Sequence, residues 1–343
     1  MAGRASWHSK VIARSAGLKV PMTLFDPAQP LDDSWSRYCE PRYSFLNRSS
    51  EIETAEARVR LESWFARYPK EHQAKLQKRF RLSLDEQHQS AFFELLLHEL
   101  LVGLSHAVFV EPEKSDSTRV PDFLASYDQR DCRLEAAVVT GVSDAERAAQ
   151  NRINAVYDAL DKFDSPDSFF GLIVRGAPQT SPPAKEIVRF LRERLLTVEL
   201  DSVRAILSAE KDLDSLPHWV YEREGWTIEF VPLPKSEALR GKPGVRPMAF
   251  KMPAFAGVTS CRQHLQKVLK EKAYKYGNHT APYVIAINLL DILCDEEDVV
   301  DALFGSEVIE VSRTDGKETL RTGRSPDGLW HDHDGPTCTR VSA

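Results

Sequence analysis

Apolar positions recur at two periods along this chain and divide it into helix-like and strand-like segments. Over residues 51–69, "EIETAEARVRLESWFARYP", Val59, Leu61, Trp64 and Phe65 approximate one stripe of a helix, and Pro69 stops it. The next segment, "FRLSLDEQHQSAFFELLLHELLVGLS", turns apolar almost all the way round from Ala91 to Leu104, which predicts a helix buried on most faces. Only Glu94, His98 and Glu99 interrupt it. Three short β-like runs follow at 106–112, 122–128 and 132–139, with "DQRD" as a hairpin turn between the second and third. Ser143 then caps a helix over 143–163 that carries acids in its first turn. The fully apolar "SFFGLIVRG", 168–176, has the pattern of a buried strand.

The order helix, three strands, helix, strand predicts one α/β layer unit with its sheet packed between helices. Beyond the breaker "APQTSPP" the pattern is weaker. A helix is expected around 184–198, a strand at 226–233, and a Gly/Pro-rich basic loop over 234–254. A basic helix (260–277), a strand "YVIAINLL" (283–290) and an acidic helix (295–305) complete the second half in the same helix-then-strand style. Three regions result: an N-terminal arm and helical extension, 1–85; a core, 86–180; and a C-terminal α/β region, 181–343. The final "TRVSA" reads as the opening of a strand, so the chain is expected to continue past its last residue.

At 343 residues the chain can bury a substantial core or two. Its net charge of −6 argues against a protein coated in basic surface, while leaving room for a local basic groove. No apolar stretch is long enough to span a membrane. Five scattered cysteines without a C-x-x-C pair suit a reducing compartment better than a disulfide framework, and the default compartment is the cytoplasm. Residues 1–25 carry basic residues without an apolar h-region, which predicts a disordered or loosely docked arm, with an organelle transit peptide as the alternative.

The carboxylates within the apolar runs carry the chemistry. Asp122 opens its strand and shares a face with Leu124 and Ser126; Glu135, inside "LEAAVV", shares one with Arg133 and Ala137. If the turn at 128–131 makes the two strands antiparallel neighbours, the two carboxylates approach each other. Glu94 lies on the preceding buried helix, with His98 one turn on. Converging acids in an apolar setting call for a cation between them, and hard oxygen donors favour Mg²⁺ or Mn²⁺. The bland alternatives are a strand-start aspartate, a structural ion pair from Glu135 to Arg133, Arg147 or Arg152, and a Glu94–His98 hydrogen bond.

Glu94 on the first helix, Pro121-Asp122 on the second strand and Glu135-Ala136-Ala137 on the third resemble the PD-(D/E)xK (restriction-endonuclease-like) nuclease superfamily. The resemblance implies an αβββαβ core drawn from residues 90–176, about a quarter of the chain, with a mixed sheet between helices. It further implies that Asp122 and Glu135 bind Mg²⁺ (or Mn²⁺), that Glu94 assists, and that the activity is phosphodiester cleavage in DNA or RNA, DNA first. Ala137 departs from that pattern where the superfamily has a lysine. Some branches recruit the missing group from the following helix, so Gln150, then Arg152, is the expected catalytic support there, with Asn154 and Tyr157 nearby. The alternative is a nuclease fold without catalysis, serving as a nucleic-acid-binding or assembly subunit. Landmarks such as "RYSFLNRSS", "FFELLLHELL", "YVIAINLLD" and "DALFG" are also similar to a group of uncharacterised bacterial proteins.

Two further clusters bear on partners. Lys267, Lys270, Lys272 and Lys275, interleaved with Tyr274 and Tyr276, and loop residues including Arg246, are candidates to track a phosphate backbone. "WHDHDGPTC" brings His331, His333 and Cys338 together, but its spacing fits no closed zinc pattern. No P-loop, G-x-S-x-G or H-E-x-x-H motif is present. The expected partner is therefore nucleic acid and not a membrane, with a homodimer as one assembly the reading allows.

Overall fold

The computed structural model describes residues 21–112, 120–209, 213–254, 261–276, 281–290, 294–314 and 317–341. The basic stretch of the N-terminal arm up to residue 20 therefore lies outside the described residues. The arm is docked at Leu24 and Phe25: both are buried in the first core, and the Glu62 carboxylate accepts from both of their backbone N–H groups at 2.9 and 2.8 Å.

Helices α1 (Arg42–Arg48), α2 (Ile52–Arg67), α3 (Lys70–Phe80) and α4 (Asp85–Gly103) come first. Pro69 ends α2 and caps α3, as its fixed φ and missing N–H dictate. Strands β1 (Ala107–Val110), β2 (Phe123–Tyr127) and β3 (Arg130–Val139) form an antiparallel meander. The β2–β3 turn is Asp128-Gln129, both at positive φ (48° and 58°), the conformation a two-residue hairpin requires.

The continuation departs from expectation. Helix α5 (Asp144–Leu160) begins with a full capping box between Ser143 and Glu146. Strand β4 (Ser168–Arg175) then joins a different sheet. After α6 (Ala184–Leu195) and α7 (Leu200–Ser208) come β5 (Trp219–Arg223), β6 (Trp226–Pro234) and β7 (Met248–Ala254). Together with β4 these make a four-stranded sheet ordered β5-β6-β4-β7. The strand that lies parallel to β3 is β8 (Tyr283–Leu289), reached through α8 (Cys261–Ala273), and the first sheet is ordered β1-β2-β3-β8. Residues 90–176 thus do not supply one sheet. The physical reason is that α5 buries Ile153, Val156, Tyr157 and Leu160 with Phe170, Leu172, Ile187 and Phe230 of the second sheet and α6.

Helix α9 (Glu296–Phe304), an exposed hairpin β9 (Glu307–Thr314) and β10 (Lys317–Arg324), and two-residue strands β11 (His331–Asp332) and β12 (Gly335–Pro336) follow. Val341 lies outside any strand, and the last two residues are outside the described ones. The first sheet is a middle layer. One face packs Val110, Phe123, Ala125 and Leu134 on α4, and the other packs Val139, Tyr283 and Ile285 under α8 and α9. Cysteine pairing also differs from expectation: Cys261, the first residue of α8, is disulfide-bonded to Cys294, just before α9.

Candidate functional site

Strand register brings Asp122 and Glu135 together. Phe123 pairs with Leu134, so one step further along the ladder Asp122 stands opposite Glu135. Cross-strand partners share a face, and this is the α8 face, since Phe123 and Leu134 point into the α4 core. The Asp122 Oδ2 accepts from the Ala136 backbone N–H at 2.8 Å, which fixes its rotamer. Glu135 is completely buried.

A carboxylate at zero exposure needs cationic partners, and α8 with the turn that follows it supplies two. Lys272 donates from Nζ to Glu135 Oε1 at 2.6 Å, and Lys275 donates to the same oxygen. The Tyr276 hydroxyl, just past the end of α8, donates to Oε2 and lies 3.0 Å from the Val120 carbonyl. Lys272 lies in the last turn of α8 and Lys275 in the bend just past it, while Leu265, Leu269 and Ala273 seat the helix. Burial pushes the Glu135 carboxyl up, but the hydrogen bonds from Lys272, Lys275 and Tyr276 outweigh it and hold the group below the usual carboxylate range. Asp122 has the opposite balance. Burial and the charges of Glu135 and Glu94 outweigh the Ala136 hydrogen bond and the more distant Lys272, and push it up to about 6.

Glu94 reaches the neighbourhood from α4 but is committed elsewhere: Arg79 of α3 takes both of its oxygens in a bidentate pair. His98 is not its partner. Burial depresses His98, and its ring packs on Tyr68, with centroids 4.9 Å apart. Among the described residues no group of three or more His, Cys, Asp or Glu could hold a metal ion, and this includes the 331–338 segment. Asp122 and Glu135 remain as a pair of hard oxygen donors. Both Glu94 oxygens belong to Arg79, so Glu94 is not free to join them.

The two residues expected to replace the missing lysine are not at the carboxylates. Gln150 donates to Asn154 at 2.8 Å and Arg152 to the Pro178 carbonyl at 2.7 Å. Arg147 pairs with Glu86 and Asp144. The basic cluster divides likewise. Lys267 and Lys270 are exposed on the outer side of α8, whereas Lys272 and Lys275 turn inward. Arg246 pairs with Asp161 against the Trp35 and Tyr38 rings, away from α8. Sequence reasoning assigned Lys272 and Lys275 to a phosphate backbone and missed their contact with Glu135. Their place at the end of a helix that leads into an apolar strand was the available signal.

Fold and site together define a mixed α/β protein with two mixed sheets and a buried carboxylate–lysine centre. Among the described residues no helix is long and apolar enough to cross a membrane. In comparisons with known proteins, no family model, no curated protein and no solved structure matches the chain.

Proposed function

We propose that this chain is a metal-dependent phosphodiesterase acting on nucleic acid, built on a restriction-endonuclease-like core interrupted by an insertion. In this reading the helix-strand-strand-strand-helix-strand order is α4, β1, β2, β3, α8, β8, and residues 144–254 are inserted between β3 and its crossover helix. The observation that carries it is that Asp122 and Glu135 share a sheet face to which α8 delivers Lys272, where the local E-x-K pattern has only Ala137. The raised Asp122 carboxyl supports it as well, because clustered charge at a buried carboxylate marks functional sites and is relieved by a cation.

Asp122 and Glu135 would hold Mg²⁺ or Mn²⁺, which when bound supplies a Lewis acid for a phosphate oxygen and acidifies water. The chain's own groups do the rest. Ala136 N–H and Tyr276 hydroxyl fix the two carboxylates, so little reorganisation is needed on binding. With a cation on Glu135, the Lys272 and Lys275 ammonium groups lose their sole claim on its Oε1 and are placed to balance charge on a phosphate.

A second reading is favoured by a specific observation: Glu135 has donors on both oxygens and Glu94 is closed by Arg79. It makes the chain a nucleic-acid-binding or assembly subunit. Incubation with single- and double-stranded DNA and RNA, in Mg²⁺, Mn²⁺ or EDTA, beside Asp122→Ala, separates the two. Metal-dependent cleavage lost in the variant supports the enzyme. Binding without cleavage by the wild type supports the subunit.

A further inference from the structure

Among the described residues, helix α8 packs on the inner strands of the first sheet. β3 and β8 carry α8, while β1 is an edge strand. On β1, Val108 and Val110 pack inward on the α4 core, so the alternate residue Phe109 points to the α8 side. There it is 54% exposed. Register places Phe109 opposite Leu124, Leu124 opposite Arg133, and Arg133 opposite Tyr283, one continuous row across the four strands. The next row on the same face is Asp122 and Glu135. From the spacing of residues and strands in a sheet, the Phe109 backbone lies about 8 Å from that of Asp122. Arg133 forms no ion pair among the described residues.

A single exposed phenylalanine means little. This one is part of a row with a half-buried leucine and an arginine, running into the carboxylate–lysine centre. Flat aromatic surface beside cations recognises a base by its π-face and a backbone by its charge. The π-face of a base is hidden in a duplex and open in a single strand.

We propose that the Phe109–Leu124–Arg133 row is a single-strand platform, with a base stacked on Phe109 and a neighbouring phosphate on Arg133. The proposal rests on the reading that nucleic acid lies on this face, and it restricts the substrate to single-stranded DNA or RNA, or an unpaired end or loop. The masking of base faces makes duplex a poor ligand for the row. Leu124 supplies the apolar floor between the two contacts.

Binding is measured by fluorescence anisotropy in EDTA, so that cleavage plays no part, using a short labelled single strand of DNA, one of RNA, and a hairpin duplex. The wild type is expected to bind the single strands at least tenfold tighter than the hairpin. Phe109→Ala is expected to weaken single-strand binding by about tenfold, and Phe109→Trp to retain it. Arg133→Ala should weaken binding and reduce its salt dependence by about one phosphate contact. Phe109→Ala binding single strands as wild type does, a hairpin bound as tightly as a single strand, or no binding at all would overturn the proposal. Phe109-dependent single-strand binding without cleavage in Mn²⁺ upholds the platform while removing the enzyme reading.

Discussion

Lys272 donates to Glu135 at 2.6 Å across 137 positions of sequence. The contact joins the middle strand of the first sheet to the helix that returns the chain to it, and it neutralises a carboxylate that has no solvent. Removing one partner of such a pair costs on the order of 3 kcal/mol, because the other is left buried and underpaired. Lys272→Met should therefore destabilise the protein by about that amount, with a further loss in Lys272→Met/Lys275→Met. Glu135→Gln added to the double variant should recover part of it. Urea denaturation of this set together with Glu135→Gln alone closes the cycle and gives the coupling energy; independent, additive losses would show that the lysines do not act on Glu135.

Asp122 makes stability depend on pH in an unusual direction for a carboxylate. Its folded carboxyl is raised to about 6 from an ordinary value of 3.8, so the folded state holds the proton more tightly than the unfolded one. The contribution is fully present below pH 4 and is lost as pH rises through 6. Asp122→Asn keeps an acceptor for Ala136 N–H and removes the charge. It should stabilise the protein at pH 8 by about 1–3 kcal/mol and by almost nothing at pH 4. Melting temperatures of both proteins from pH 4 to 8 check this, and a constant difference across the range would refute the assignment.

Arg79 holds Glu94 away from the other two carboxylates. Arg79→Ala should cost about 3 kcal/mol and leave Glu94 with only solvent or Asp122's surroundings to answer its charge. Glu94→Gln should change Mg²⁺ or Mn²⁺ affinity little, since both of its oxygens already belong to Arg79. Isothermal titration with either cation measures that, and a large loss of affinity would make Glu94 a ligand.

The Cys261–Cys294 disulfide closes a segment 33 residues apart in sequence that contains all of α8 and β8. A cross-link of that span contributes about 2–4 kcal/mol through the unfolded chain. Cys261→Ser/Cys294→Ser should lower the melting temperature accordingly, and wild-type protein in a strong reductant should match it. Equal melting temperatures under oxidising and reducing conditions would contradict a bond that stabilises the fold.

Much of this architecture was legible in local pattern. Ser143 followed by Glu146 announced the start of α5, and the polar "DQRD" between two apolar runs announced the β2–β3 turn. Those two signals, with alternation along the strands, were enough to put Asp122 and Glu135 on one face. Which helix crosses over to the strand beside β3 was not legible. Both α5–β4 and α8–β8 read as a helix followed by an apolar strand, and the choice is made by long-range packing of α5 on the second sheet. Gln150 and Arg152 were expected at the carboxylates because the resemblance implied support from the helix that follows β3, and here that helix, α5, packs on the second sheet. Strand β7 was hidden for another reason: Met248–Ala254 follows a Gly/Pro-rich basic loop, holds Lys251 and Pro253 within a short run, and among the described residues pairs on one side, with β4. The pairing of Cys261 with Cys294 follows from α8 and α9 meeting at their N-terminal ends, which no spacing rule encodes.

Whether α8 or α5 supplies the cation of a working site is read from the rate of metal-dependent single-strand cleavage by wild type, Lys272→Met, and Gln150→Ala/Arg152→Ala, each checked for folding. With Lys272 as that cation, the wild type cleaves, the α5 double variant cleaves at a similar rate, and Lys272→Met loses about a hundredfold or more. Cleavage by Lys272→Met at the wild-type rate, or no cleavage by the wild type in Mg²⁺ or Mn²⁺, would contradict that role.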